Sequence, residues 1–162
     1  MAIRKIITLP DSRLKLKARP VITITKKIQQ TILDLIETLN HYPGVGIAAP
    51  QIAELEQIIL VDATKSRRPC QNHGQLIMIN PQIVFAAGEI TFREGCLSIP
   101  DYSAFIKRKD KIVVKFLKPD GQKEIITATG FESVVIQHEI DHLNGILFID
   151  RIQSISELIP RR

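Results

Sequence analysis

Gln137-His138-Glu139-Ile140-Asp141-His142 sets two imidazoles four residues apart, with a carboxylate directly after the first. On an α-helix, residues i and i+4 share a face, so His138 and His142 can present two nitrogens to one metal ion. Glu139 stands one position round from His138, within reach of a water on that ion as a general base. Two partly buried histidines sharing a helix face are the competing reading, and the glutamate beside them favours metal. The helix has boundaries at both ends. Thr129-Gly130-Phe131-Glu132 has the form of a capping box, the Thr hydroxyl accepting from the third helical N–H while Glu132 reaches back. Gly145 suits the C′ position. Between them Phe131, Val134, Val135, His138 and His142 fall on one stripe, so the histidines continue an apolar face. That places this helix at the centre of the core.

Working outward, Arg4 to Leu9 reads as a strand or extended arm, and Pro10-Asp11-Ser12-Arg13-Leu14 as a short helical turn. From Thr25 onward Ile28, Ile32, Leu35, Ile36 and Leu39 recur at helical spacing, and Pro43-Gly44 stops the run. This amphipathic helix delivers the chain into Gly44-Val45-Gly46-Ile47-Ala48-Ala49-Pro50-Gln51, small residues that permit close approach by another group. Strand-type runs follow at 57–61, 76–80 and 82–85. A further pair at 111–117 and 123–127 flanks Lys118-Pro119-Asp120-Gly121-Gln122, a strong hairpin signal. Residues 154–159 read as a short final turn.

The 162 residues are 44% hydrophobic and 24% charged with no Trp, which suits one soluble globular domain over 1–162. No apolar run is long enough to span a bilayer, so no membrane partner is expected. The net charge of +5 is scattered. Its densest part, Lys107-Arg108-Lys109 with Lys111, Lys115 and Lys118, reads as the solvated side of a strand pair, and no nucleic-acid role is expected. Thr8, Pro10 and Asp11 interrupt the N-terminus before a secretory h-region forms, so a cytoplasmic setting is expected, with Cys70 and Cys96 as free thiols or metal ligands.

Hydrolytic sites of this kind usually take three protein ligands. Downstream of His142, the position three residues past Gly145 is Phe148, which cannot ligate, and the one glutamate further on is Glu157. His41, His73, Cys70 and Cys96 remain. Cys70 and His73 lie in a polar loop without a second pair. Cys96 lies in Arg93-Glu94-Gly95-Cys96-Leu97-Ser98-Ile99-Pro100, where Gly95 allows a tight backbone and Pro100 ends the strand, leaving the thiol at a fixed bend. A thiolate with two imidazoles suits Fe2+, Zn2+ or Ni2+, although a lone buried cysteine also packs as a small hydrophobe.

Three segments together, 44–51, 94–98 and 137–142, resemble in content and order the three signature motifs of the peptide deformylases. The resemblance runs over nearly the whole chain. It implies an α+β fold, with short, mostly antiparallel sheets packed around the central metal-binding helix. It implies that Cys96, His138 and His142 hold one divalent ion, Fe2+ in the cell with Zn2+, Ni2+ or Co2+ able to substitute. Glu139 is then the general base in hydrolysis of the N-formyl group from the starting methionine of new polypeptides. Gln51 and the Leu97 N–H correspond to the oxyanion donors. Gly46 and its small neighbours admit the Gln51 loop, and Val45, Phe92, Phe131, Val134 and Val135 are placed to line the methionine slot. Glu94 and Arg108 stand where the family pairs a Glu and an Arg.

Two positions depart from the family pattern. Ser103 stands near a place where many bacterial members carry arginine, and Phe92 is bulkier than the expected aliphatic residue. The chain also stops at Arg161-Arg162, without the longer C-terminal helix by which some members dock on the ribosome, so that contact is not expected. The rival readings are an endopeptidase with the His-Glu-x-x-His motif and a non-catalytic relative that binds peptide N-termini.

Overall fold

Two antiparallel sheets meet at the helix carrying His138 and His142 in the computed structural model, which describes residues 2–161. The strands are β1 (Gly46–Ala48), β2 (Ile58–Asp62), β3 (Gln75–Ala87), β4 (Ile90–Cys96), β5 (Ile99–Arg108), β6 (Lys111–Leu117), β7 (Lys123–Thr129) and β8 (Ile159–Pro160). The helices are α1 (Lys26–His41) and α2 (Gly130–Leu143). One sheet has the order β1-β2-β3-β6-β7, the other β4-β5-β8. This is the α+β architecture the sequence implies. No helix among the described residues is long and apolar enough to cross a membrane.

The unbroken apolar run of β2 explains the layering of the larger sheet. Successive strand residues point to opposite faces, and both faces of β2 are covered. Ile58 and Leu60 join Ile28, Ile32, Leu35 and Leu39 of α1 in one buried cluster. Ile59 and Val61 join Val135, Ile136 and Leu143 of α2, with Met78, Ile112 and Val114, in another. Apolar burial on both faces therefore holds the sheet between α1 and α2. Thr25 caps α1, its hydroxyl accepting from Ile28 N at 3.3 Å. The 118–122 hairpin forms as its Pro-Asp-Gly signal requires, with Gly121 at φ +85. Residues 2–9 run as an extended arm, Ile7 donating to Gln51 O and Leu9 to Ser98 O, which ties the arm to the pieces that carry the site.

Several sequence expectations are corrected. The two runs at 76–80 and 82–85 form one strand, β3, with a register shift against β6 between Ile79 and Gln82. Asn80 takes the left-handed region at φ 53, and its side chain bonds Val21 N and O at 2.8 Å each. A distant segment thus pays for a kink that locally looks like a strand end. Pro100 does not end a strand, because it lies second in β5. Cys96 closes β4 before a Leu97–Ser98 turn, with Cys96 opposite Ile99 and a register shift after Gly95. The terminal segment has the short turn expected, Ile155–Glu157, followed by the unforeseen strand β8.

Thr129 does stand at the N-cap of α2, but no capping box forms. Glu132 is buried and turns instead to the loop before β3, accepting from His73 N at 2.7 Å and meeting His73 Nδ1 at 2.6 Å. At the other end Gly145 behaves as expected, at φ +71. A Cβ there would also collide with the Lys15 carbonyl. Arg108 is no part of a solvated basic face. It is 5% exposed and engaged in ion pairs.

Candidate active site

α2 and the β4–β5 hairpin bring Cys96, His138 and His142 together. One ligand atom from each lies within 4.8 Å of the others, and all three residues are buried. Cys96 Sγ stands 3.4 Å from His142 Nε2. Donors around a tetrahedral ion, with bonds near 2.1 Å to N and 2.3 Å to S, lie about 3.6 Å apart, so the spacing fits a single cation. The donor chemistry fits as well. Burial alone would raise the Cys96 thiol, but the charge of His142 and the hydrogen bonds of both imidazoles pull it well below its usual value, toward the thiolate that binds a cation.

Buried charge sets the ring orientation. His138 Nδ1 is 2.8 Å from Glu94 Oε1, which turns Nε2 toward the donor cluster. Glu94 is gripped in turn by Arg108, Nε to Oε2 at 2.7 Å and Nη2 to Oε1 at 2.8 Å. Burial pushes Glu94 up, yet the bonds from Arg108 and His138 outweigh it and hold the carboxyl at about 2. Arg108 also reaches Asp141 at 2.6 Å, and Arg151 clamps both Asp141 oxygens at 2.7 Å from the outer side. Phe148, which occupies the position where a third histidine would ligate in one peptidase variant, is buried and stacks beside the His138 ring.

Glu139 differs from every other acid here. It is 4% exposed, and its Oε2 has no hydrogen-bond partner among the described residues. Burial raises its pKa, the histidine charges offset part of the rise, and the carboxyl sits at about 7. A buried acid poised near neutrality and aimed into a cavity is what proton transfer requires. Gln51, 1% exposed, is fixed by its Oε1 accepting from Ala48 N at 2.9 Å. Its Nε2 is thereby turned to Ser98 Oγ at 3.1 Å and Cys96 Sγ at 3.6 Å.

One pocket of about 650 Å3 opens onto this cluster. Val45, Gly46, Gln51, Phe92, Cys96, Leu97, Phe131, Val134, Val135, His138 and Glu139 all line it. His142 lies behind this lining. Phe92 and Phe131 pack with ring centroids 5.1 Å apart. At Gly46 a Cβ would come within 2.7 Å of Glu139 Oε1 and 2.9 Å of Val135 Cγ1, so only glycine lets this wall lie against the acid. The candidates set aside fall elsewhere: Cys70 and His73 are in the loop before β3, and His41 ends α1.

Sequence reasoning missed Ser98, Arg93, Asp101 and Arg161 around the cavity, and Arg151 behind it. For Asp141 a signal existed. It lies three residues after His138 and faces the same side as Arg108, which the resemblance had already paired with Glu94.

Fold and donor set together define a metal-dependent hydrolase. The chain belongs to the polypeptide deformylase family, whose model matches residues 3–157. It is similar to a peptide deformylase of Syntrophobacter fumaroxidans, 44% identical over 162 residues, covering 100% of this chain and 94% of the relative. Among solved structures, the peptide deformylase of Legionella pneumophila superposes with a TM-score of 0.88 at 39% identity, over 96% of this chain and 89% of that one. The Ehrlichia chaffeensis peptide deformylase in complex with actinonin gives 0.90 at 33% identity, over 97% and 92%.

Proposed function

We propose that this chain removes the N-formyl group from peptides that begin with formyl-methionine, releasing formate and a free amine, and that Cys96, His138 and His142 hold one ion for the purpose. The observation that carries the reading is the buried Glu139 carboxylate, its Oε2 without a hydrogen-bond partner among the described residues, beside a buried Cys/His/His triangle and closed on one side by Gly46. A wall pressed this closely on the acid favours the smallest acyl group, a formyl, over the interior of a chain. A thiolate with two imidazoles suits Fe2+, with Zn2+, Ni2+ and Co2+ as substitutes.

The ion, when bound, supplies Lewis acidity, lowering the pKa of water and polarising a carbonyl. The chain's own groups do the rest. Glu139, near its pKa at neutral pH, takes the proton of the attacking water and returns it to the leaving amine. Gln51 Nε2, its orientation set by Ala48, and the Leu97 N–H donate to the oxygen that becomes negative as the formyl carbon turns tetrahedral. Val45, Phe92, Phe131, Val134 and Val135 offer an apolar wall to the methionine side chain, excluding water from it. Glu94 and Arg108 fix the His138 ring and take no part in the chemistry.

The test is formate release from formyl-Met-Ala-Ser by protein loaded anaerobically with Fe2+ or Ni2+. Wild type is expected to release formate, and its failure to do so overturns the reading. An endopeptidase would retain metal and activity after Cys96→Ala, whereas here both are expected to vanish. Because thiolate and ferrous iron are both oxidisable, the Fe2+ form is expected to lose activity in air while the Ni2+ form persists; equal lability counts against iron.

A further inference from the structure

Two guanidiniums line the pocket without a part in the reaction above, Arg93 and Arg161. Arg93 belongs to β4, and its Nε donates to Ser103 Oγ at 2.9 Å, which lays it along the hairpin. Arg161 arrives from a different direction. β8 pairs with β5 through Pro160 opposite Tyr102 and Ile159 opposite Ser103, and Arg161 N then donates to Asp101 O at 2.9 Å. This short pairing delivers the Arg161 side chain across the hairpin onto Gly95. A Cβ at residue 95 would come within 2.6 Å of Arg161 Nη1 and 3.1 Å of Cζ. Gly95 is not at positive φ, so backbone strain does not call for glycine here; the guanidinium occupies the space a Cβ would take.

The charges around Arg161 leave it available. Of the acids lining the pocket, Glu94 is taken up by Arg108 and His138, and Glu139 is buried deeper, beside the metal donors. Among the described residues Arg161 forms no ion pair, and neither does Asp101. A planar donor fork whose tip lies over Gly95 in the strand that ends at Cys96, with no carboxylate of its own among the described residues, suits an acceptor that enters with the substrate.

We propose that Arg161 is a substrate-binding residue that contacts the peptide beyond its formyl-methionine, donating to carboxylate oxygens there and favouring substrates with an acidic group at that end. The proposal rests on the deformylase reading. Arg161 is exposed, so solvent screens the contact, and its effect falls on binding more than on the chemical step.

The experiment compares wild type, Arg161→Ala and Arg161→Lys on formyl-Met-Ala-Asp and on the neutral formyl-Met-Ala-Asn amide, with melting temperatures measured alongside. For the acidic peptide Arg161→Ala is expected to raise KM about fivefold with kcat unchanged, and for the neutral amide less than about twofold. Arg161→Lys should recover part of the loss, since it restores charge without the fork. Added salt should shrink the wild-type preference for the acidic peptide. Equal KM changes on both peptides, or a fall in kcat accompanied by a lower melting temperature, would overturn the proposal in favour of a strut that merely holds β8. Absence of formate from wild type with every peptide is a separate result, and it would bring down the deformylase reading and this inference together.

Discussion

α2 is held on its two sides by different physics. Toward the five-stranded sheet it presents Val135, Ile136 and Leu143 to Ile59, Val61, Ile112 and Val114, an interface of hydrocarbon. Toward the β4–β5 hairpin it presents His138 and Asp141 to Glu94 and Arg108, an interface of charge. Hydrophobic burial is strong but indifferent to direction, so the first interface fixes that the helix is there. Hydrogen bonds between charged groups are directional and lose much of their gain to desolvation, so the second fixes where the imidazoles point. On this view stability and chemistry are separable, and substitutions on the two sides should show it.

The largest effect is expected where the polar side meets the reaction. Glu139→Ala should lower kcat by about a thousandfold or more, as loss of the proton-transfer group does. Its Oε2 is buried without a partner among the described residues, so the same substitution should leave the melting temperature unchanged or raise it. A substantial fall in melting temperature would show that the acid also supports the fold, and the separation would fail.

Ile136→Ala attacks the other side. Ile136 is 0% exposed, and truncation at such a site costs about 3 to 4 kcal/mol, measurable by urea unfolding. Folded protein carrying this change should keep kcat/KM within about twofold of wild type under conditions where it stays folded. A tenfold loss would mean that the apolar packing also aims the donors.

Third comes the acid response of the charged interface. Glu94 is held at about 2 against its usual 4.5, a difference worth about 3 kcal/mol. A lowered carboxylate contributes its full stability above the unfolded value and loses it as pH falls through the folded one. Between pH 6 and pH 2 the stability gap between wild type and Glu94→Gln should therefore narrow steadily, most of the change lying below about pH 4.5. A gap that stays constant over that range would place the value of Glu94 in packing.

What could be read in advance follows the same division. α1 announces itself by apolar periodicity, α2 by its two histidines four apart between Thr129 and Gly145, and the 118–122 hairpin by Pro-Asp-Gly, because each signal is local. That Cys96, His138 and His142 come together beside a buried Glu139 was legible because few residue types offer such donors. The strands around Cys96 were not. Gly95 and Pro100 look like breaks, yet Gly95 lies within β4 with a distant arginine over it, and Pro100 sits at the start of β5. Likewise Glu132 abandons a local cap for His73, and Asn80 continues β3 by bonding Val21, in each case 59 residues away. Such choices are made by tertiary contacts, which no window of sequence contains.

The smallest expected effect locates the outer boundary of the charged interface. Arg151 clamps both oxygens of Asp141, yet its side chain is 41% exposed, while Arg108 reaches the same carboxylate from inside with a side chain 2% exposed. Asp141 lies between the two histidines, so whatever steadies it steadies them. If the buried guanidinium suffices, Arg151→Ala should cost at most about 1 kcal/mol in urea unfolding, as exposed pairs do, and leave the metal affinity nearly unchanged. A tenfold loss of metal affinity from this substitution would mean that aiming the imidazoles requires both guanidiniums. The directional side of α2 would then reach the solvent, where salt can weaken it, and the metal site would become sensitive to ionic strength in a way that the hydrocarbon side could never be.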